Sequence, residues 1–204
     1  MHELSPTRPP AWEPLPPFEI VALAASAGGL AAFSEILSGL PADFPAPVLV
    51  LQHLPARHAS CLPNLLARVT RLTVLPARDG QELLLGRVYV APPDRHLLVR
   101  PDRTIALSNT ERVWFTRPAA DPLFESVASS FGSRAVAVIL TGKGCDGAQG
   151  IRAIRQAGGV TIAQSPMSCQ SDAMPSAAIE TGCVDMVLSL ARIGPLIQIL
   201  FSRQ

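Results

Sequence analysis

The stretch that decides the fold is IVALAASAGG, residues 20–29. Its first six residues, 20–25, are all apolar, which is typical of a strand buried on both faces of a sheet. The small residues 26–29 then favour a tight turn, and apolar residues at helical spacing predict a helix over residues 30–40. A strand, a tight turn and a helix in this order form the repeating unit of a parallel sheet.

The same alternation continues along the chain and predicts an α/β fold. Further buried strands are predicted at residues 48–52, 73–77, 135–140, 160–163 and 184–188. Helices are predicted within residues 55–69 and at residues 121–131, 148–157, 175–181 and 193–201. We expect a doubly wound, mostly parallel sheet with helices on both faces.

Residues 87–108 have a different character. Short apolar runs at residues 88–90, 97–100 and 104–107 surround the turn signal at residues 101–103. This pattern predicts antiparallel strands, and so a small antiparallel hairpin beside the main sheet.

Composition excludes several classes of protein. Of the 204 residues 48% are hydrophobic and 16% are charged, which predicts a large buried core and excludes a disordered chain. Seventeen basic against 16 acidic residues leave a net charge of +1, so no nucleic-acid or anionic membrane partner is predicted. No apolar run reaches the roughly 18 residues of a membrane span, and the start lacks a secretion signal. We therefore expect a cytoplasmic protein without membrane insertion.

The amino terminus differs from the rest of the chain. Residues 1–17 contain six of the twenty prolines and are predicted to be an extended tail or the remnant of a linker. The folded domain is expected to comprise residues 18–204.

The cysteines and histidines do not have the spacing of a metal site. The four cysteines are scattered and are predicted to be reduced thiols, with Cys145 as the possible exception because of its loop. His58 is expected to be exposed, and His96 to be structural or exposed. No metal ligand is predicted.

Polar residues follow three of the predicted strands, where parallel sheets bind ligands. Ser26 lies between small residues in a turn similar to a nucleophile elbow; the alternatives are a tight turn alone or half of a phosphate loop. His53 follows the second strand and could be a general base, or a capping or core histidine. Asp146 ends a glycine-rich loop and could orient the histidine, or cap the helix from residue 148.

These residues, in this order, resemble the catalytic domain of the bacterial chemotaxis protein-glutamate methylesterases. The serine motif of that family, S-[TA]-G-G, is matched by residues 26–29, and its Q-H-[ML]-P motif by residues 52–55. Its L-T-G-M-G-x-D-G loop is matched by residues 140–147, except that Lys143 replaces the methionine. The resemblance spans about residues 18–200.

The resemblance implies a serine hydrolase that removes methyl esters from glutamate side chains of chemoreceptors and also deamidates glutamine there. Ser26, His53 and Asp146 would be the nucleophile, the base and the residue that orients the base. The oxyanion and substrate loop would comprise Ala27, Gly28, Lys143 and Gly144. No metal or cofactor would be needed. The partners would be the cytoplasmic helices of methylated receptors or a related protein substrate, and no regulatory partner is identified.

The sequence departs from the family at three positions near the predicted nucleophile. Ala24 replaces a glycine, Ala27 a threonine, and Lys143 the methionine. The lysine could aid catalysis, attract a carboxylate-bearing substrate, pair with Asp146, or point to solvent. Two alternatives therefore remain: a catalytically weakened regulatory or scaffolding module, and an esterase with another substrate.

Longer members of that family carry a phosphorylatable receiver domain before the esterase. Residues 1–17 are too few for such a domain, which needs on the order of 100 residues. We expect either a free-standing member or a fragment that begins inside the linker.

Overall fold

The computed structural model describes residues 18–54 and 60–202. Its strands are β1 (Ile20–Ala25), β2 (Val48–Gln52), β3 (Thr73–Pro76), β4 (Arg87–Val90), β5 (His96–Val99), β6 (Ile105–Ser108), β7 (Ala135–Ile139), β8 (Val160–Gln164) and β9 (Met186–Leu188). Its helices are α1 (Gly29–Gly39), α2 (Leu62–Ala67), α3 (Ala120–Phe131), α4 (Ala148–Gln156), α5 (Ala173–Glu180) and α6 (Leu190–Ser202). The predicted tail at residues 1–17 and His58 lie outside the described residues. Over the described ranges, no helix has the length and apolar character needed to cross a membrane.

The main sheet has seven parallel strands in the order β3-β4-β2-β1-β7-β8-β9. The chain builds outward from β1 to one edge of the sheet and then returns to β7 on the other side of β1. Strand order therefore reverses between β1 and β7, and the crevice outside their carboxyl ends is where doubly wound sheets bind ligands. The predicted α/β fold is confirmed.

The prediction for residues 87–90 is wrong in one respect. These residues form β4, which lies in the main sheet between β2 and β3 and runs parallel to both. Val88 and Val90 pack in one core and Tyr89 in the other, so that β4 is buried on both faces. Only β5 and β6 form the antiparallel pair.

Strand β1 contributes side chains to both cores of the domain. Val21, Leu23 and Ala25 pack in the core that α1 and α6 cover. The intervening residues of β1, including Ala24, pack in the core under α3, α4 and α5. Because period-two alternation sends neighbouring side chains to opposite faces, a continuous apolar run suits a central strand. Helices on both faces are confirmed.

Candidate active site

The ends of three neighbouring strands position the predicted catalytic side chains. Strand β1 leads into Ser26, β2 leads into His53, and the loop after β7 contains Asp146. His53 Nε2 lies 2.7 Å from Asp146 Oδ2, and the two side chains are only 10% and 2% exposed. An ionised carboxylate can only accept hydrogen bonds, so His53 Nε2 carries the proton of this bond. His53 Nδ1 is then the ring nitrogen that can bond to another partner.

The Asp146 carboxylate also caps helix α3. Its Oδ2 accepts the Ala120 N–H at 2.5 Å, and its Oδ1 accepts the Asp121 N–H at 3.0 Å. The unpaired N–H groups and the positive end of a helix both favour a negative charge at this point. The alternative that Asp146 caps the helix from residue 148 is wrong, since Gly147 is the N-cap of α4 and the Asp146 oxygens bond to α3.

The backbone fixes the turn that carries Ser26. The Ser26 N–H donates to the carbonyl of Thr141 at 2.9 Å, which joins the turn to the loop after β7. The Ser26 carbonyl accepts from Gln52 Nε2 at 2.5 Å and from the Gly29 N–H at 3.0 Å. Gly28 has a φ of +85°, a conformation that glycine adopts readily. Ser26 is therefore held in position through its main chain.

Gly142 allows the two loops to touch. A Cβ atom on Gly142 would lie 2.9 Å from Ser26 Cβ and 2.2 Å from Met174 Sδ. Glycine is required here by close approach, because any side chain would displace the serine or the first turn of α5.

Ser26 itself is not bonded to the histidine. In the described ranges no hydrogen bond joins Ser26 Oγ to His53, whereas His53 and Asp146 are in direct contact. Hydrogen bonds of catalytic groups are often long without substrate and shorten when it binds. The structure thus brings together two of the three predicted residues and holds the third at the same edge of the sheet.

Backbone N–H groups in the two loops that meet at Gly142 have no partner within the described residues. Among the described residues, the N–H groups of Ala27, Gly28, Lys143 and Gly144 make no hydrogen bond within the protein. They belong to the two loops that meet at Gly142, and free N–H groups of this kind can stabilise a developing oxyanion.

Lys143 points to solvent, which was one of the alternatives for it. Its side chain is exposed, and no ion pair between it and Asp146 occurs in the part of the chain that the structure describes. Ala24 is fully buried in the core under α3, α4 and α5, so its methyl group is accommodated by packing.

A pocket of about 560 Å³ opens beside Ser26. The described residues that line it carry no charge: Ser26, Gly28, Gly29, Leu30, Ala31, Gln52, Leu54, Ser60, Cys61, Leu62, Leu65 and Gln170. Its volume lies in the usual range for small ligands, and its surface is mostly apolar.

Sequence reasoning missed two residues of this region. Gln52, quoted only as part of a motif, supports the Ser26 carbonyl. Asp121 is 4% exposed, its Oδ1 accepts the Gly150 N–H at 2.8 Å, and its Oδ2 accepts Trp114 Nε1–H at 2.9 Å. Burial raises the pKa of Asp121, and the nearby charge of Asp146 raises it further. The available signal was an aspartate at the start of a predicted helix.

The remaining histidines and cysteines contribute little to the site. His96 is buried, with Nε2 3.0 Å from the Glu111 carbonyl, so it is structural as predicted. All four cysteines are free, and burial together with Asp172 raises the pKa of Cys169 to about 11. Within the described ranges, no group of three or more potential ligands is arranged to hold a metal ion.

One protein family matches most of the chain. The family model described as CheB methylesterase matches residues 21–197. The chain belongs to the CheB methylesterase family. The resemblance inferred from the three motifs is thereby confirmed, and with it the prediction of a methylesterase catalytic domain.

Similar curated proteins carry names of the same kind. A Leptospira interrogans protein, provisionally named protein-glutamate methylesterase/protein-glutamine glutaminase, is 39% identical over 88% of this chain and 93% of its own length. An Anaeromyxobacter dehalogenans protein of that name is 46% identical over 89% of this chain and 54% of its own length. The Myxococcus xanthus protein-glutamate methylesterase FrzG is 42% identical over 92% of this chain and 58% of its own length. The chain thus spans nearly all of the first relative and little more than half of the other two.

A solved structure shows the same fold. The Thermotoga maritima CheB methylesterase catalytic domain superposes with a TM-score of 0.87 at 35% identity. The match covers 90% of this chain and 98% of that domain. The described part of this chain therefore corresponds to a whole CheB catalytic domain.

Proposed function

We propose that this chain hydrolyses methyl esters on glutamate side chains of chemoreceptors and deamidates glutamine side chains there. Ser26 is the nucleophile, His53 the general base and Asp146 the residue that orients and stabilises the histidine. The observation that carries the proposal is the 2.7 Å bond between His53 and Asp146, made beside the strand end that bears Ser26. The mostly apolar pocket that opens beside Ser26 gives the substrate side chain a place to bind.

In the first half of the reaction, Ser26 Oγ attacks the ester carbonyl carbon and its proton passes to His53 Nδ1. The carbonyl electron pair moves to the oxygen, where the free N–H groups at residues 27–28 and 143–144 supply donors. Asp146 stabilises the imidazolium without taking its proton. The intermediate collapses, the methoxy group leaves with the proton from His53, and methanol and an acyl-enzyme result.

In the second half, His53 takes a proton from water while the water oxygen attacks the acyl carbon. Collapse of the second intermediate breaks the bond to Ser26 Oγ, which recovers its proton from His53. The net reaction is ester plus water to carboxylic acid plus methanol. With glutamine, ammonia replaces methanol as the leaving group.

The alternative of a catalytically weakened module gains no support from the two departures that suggested it. The Ala24 methyl group lies in a core, away from the crevice, and Lys143 forms no ion pair with Asp146 in the described part of the chain. The main-chain N–H of Lys143 is unaffected by its side chain. We therefore retain the enzymatic function.

The partners that we propose are the cytoplasmic helices of methylated chemoreceptors, which would place the reaction in the cytoplasm. Residues 1–17 remain predicted as a tail or linker ahead of the domain.

The direct test is methanol release from a methylated receptor. We expect Ser26→Ala and His53→Ala to lower kcat by at least about a thousandfold and by similar factors, because triad members act as a unit. Ser38→Ala is the matched control, since Ser38 is exposed on α1 and bonds only to the Glu35 carbonyl. Equal background release from wild type and Ser26→Ala would refute the proposed activity on this substrate.

A serine-directed fluorophosphonate separates the remaining alternative. Labelling of Ser26 without methanol release would indicate an esterase with another substrate. Absence of both labelling and methanol release would indicate the weakened module.

A further inference from the structure

The buried carboxylate of Asp121 lies behind the His53–Asp146 pair, in a position that the reaction above does not use. We propose that Asp121 is a positioning residue for Asp146 and His53, and that the indole of Trp114 holds Asp121 from the solvent side. This inference rests on the proposed function for its catalytic consequence, while its structural consequence can be measured without any activity.

Asp121 bridges the two helices that surround Asp146. Its own N–H donates to Asp146 Oδ1 at 3.0 Å, and its Oδ1 accepts the Gly150 N–H in the first turn of α4 at 2.8 Å. Asp146 lies two residues before α4, and its carboxylate caps α3. The Asp121 side chain therefore fixes α4 to α3 at the point where Asp146 enters the site.

The helices approach closely around this bridge. A Cβ atom on Gly150 would lie 2.5 Å from Phe124 Cβ and 3.2 Å from the Asp121 carbonyl oxygen. A loss of the Asp121 bond would free the first turn of α4 to move, and Asp146 would move with it. Because geometry at a catalytic pair matters on the scale of about 1 Å, this motion would be seen in kcat.

Trp114 bonds to the Asp121 carboxylate from the solvent side. Its Nε1–H donates to Asp121 Oδ2 at 2.9 Å, while the side chain is 51% exposed. Trp114 and Phe115 have φ values of 49° and 63°, which bulky side chains rarely adopt. They are the central residues of a tight turn closed by the two backbone bonds between Val113 and Thr116, at 3.2 and 2.9 Å, and this turn presents the indole to Asp121.

The charges that face Asp121 define its electrostatic effect. Asp146 faces it from the loop before α4, Glu125 lies one turn along α3 with an exposed side chain, and the Trp114 indole is neutral. An ionised Asp121 adds a second negative charge behind Asp146 and so stabilises the imidazolium formed during the reaction. As the pH falls, Asp121 takes up a proton and this stabilisation of the imidazolium is lost. Because the pKa of Asp121 is raised, the loss begins at a higher pH than for an ordinary aspartate.

Three variants test the role. Asp121→Asn removes the charge, Trp114→Phe keeps an aromatic ring without the N–H, and Phe115→Ala is the control in the same strained loop, 94% exposed. We expect kcat to fall about 10–100-fold in Asp121→Asn, by analogy with partners that orient catalytic ligands, and by a smaller factor in Trp114→Phe. KM should stay nearly constant, because neither residue lines the Ser26 pocket. Phe115→Ala should retain wild-type kcat.

Two readouts distinguish positioning from a merely structural role. The ratio of wild-type to Asp121→Asn kcat should shrink as the pH is lowered through the raised pKa of Asp121, because a protonated Asp121 resembles asparagine in charge. In proton NMR, the low-field resonance of His53 Nε2–H should shift or broaden in Asp121→Asn and Trp114→Phe, and stay unchanged in Phe115→Ala. If Asp121→Asn does not fold, Trp114→Phe carries both the kcat and NMR tests.

The outcomes separate this inference from the proposed function. A wild-type resonance and wild-type kcat in both Asp121→Asn and Trp114→Phe would overturn it, as would a loss of kcat that is equal at every pH and matches the unfolded fraction. If wild type releases no methanol but the resonance changes in the two variants and not in Phe115→Ala, the positioning role stands and the proposed substrate fails.

Discussion

Ser26 and Asp146 follow neighbouring strands of one sheet, yet their surroundings differ in kind. The serine side is defined as Ser26, the turn at Gly28, the facing Gly142 and the pocket beside them. Small residues and main-chain hydrogen bonds hold Ser26 there. The histidine–aspartate side is defined as His53, Asp146, Asp121 and the start of α3. Buried carboxylates and a helix terminus hold His53 there.

Because of this difference, different kinds of substitution should impair the two sides. Adding volume should damage the serine side, where atoms are in close contact and the nearby charge of Lys143 points to solvent. Removing charge at constant volume should damage the histidine–aspartate side, where each oxygen of Asp146 has a donor.

The largest effect is expected from Asp146→Asn, which changes charge at nearly constant volume. The asparagine NH2 would face donors at His53 or at the start of α3, so that one of these bonds must be lost. We expect kcat for methanol release to fall by about a thousandfold or more. Asp172→Asn is the control, because Asp172 is exposed and its side chain makes no capping bond to α5. A loss of less than about tenfold would contradict the role of Asp146 as the orienting group.

A smaller but large effect is expected from Gly142→Ala, which adds one methyl group to the serine side. Its Cβ would clash with Ser26 Cβ and Met174 Sδ, so the turn must move. We expect about a hundredfold loss of kcat, as for a displacement of about 1 Å at a reacting group. Gly39→Ala is the control, since its Cβ would meet only Gln198 Nε2 at an ordinary 3.5 Å. Equal kcat values for the two alanine variants would show that the close contact does not hold Ser26.

The third effect concerns stability on the histidine–aspartate side. Because the pKa of Asp121 is raised in the folded state, the folded chain binds this proton more tightly than the unfolded chain. The free energy of unfolding of wild type, measured against that of Asp121→Asn, should therefore fall as the pH rises from roughly 4 to the raised pKa. The folding equilibrium constant should change by about tenfold for each unit by which the pKa is raised.

Urea unfolding of both proteins across this pH range provides the measurement. A difference between the two curves that is constant with pH, or that grows in favour of wild type as the pH rises, would show that Asp121 is not destabilised by its burial.

The smallest effect is expected from Lys143→Met, a change of charge on the serine side. Lys143 is exposed, and its main-chain N–H remains in the variant. Solvent and salt screen an exposed charge, so kcat should change by no more than about threefold at physiological ionic strength. Lys143→Glu extends the test, since a much larger loss in that variant alone would show that charge near Ser26 matters.

Continuous apolar runs made most of the sheet predictable. β1, β2 and β7 are buried on both faces and were predicted from their sequences within a residue of their bounds. β4 was assigned to the hairpin because turn signals follow it closely, although its three apolar residues also suit a central strand. Which neighbour a short strand pairs with depends on long-range contacts that local pattern does not contain.

The candidate site was predictable in its residues but not in its geometry. Strand ends and motifs selected Ser26, His53 and Asp146. The Asp146 carboxylate bonds to the N–H groups of Asp121 and Ala120, which lie 25 and 26 positions earlier in the chain. No local signal in residues 142–147 indicates this cap of α3. Asp121 was missed for the same reason, because its partners in α4 and at Trp114 are brought close only by tertiary packing.

The central place of β1 has a consequence for folding. β1 is flanked by β2 and by β7, and the bond from His53 to Asp146 joins residues 93 positions apart. Contacts between such distant segments form late and slowly, because the entropy of closing the intervening chain must first be overcome. After dilution from denaturant, recovery of esterase activity should therefore lag behind recovery of the helical signal. The delay between the two would report when β7 pairs with β1.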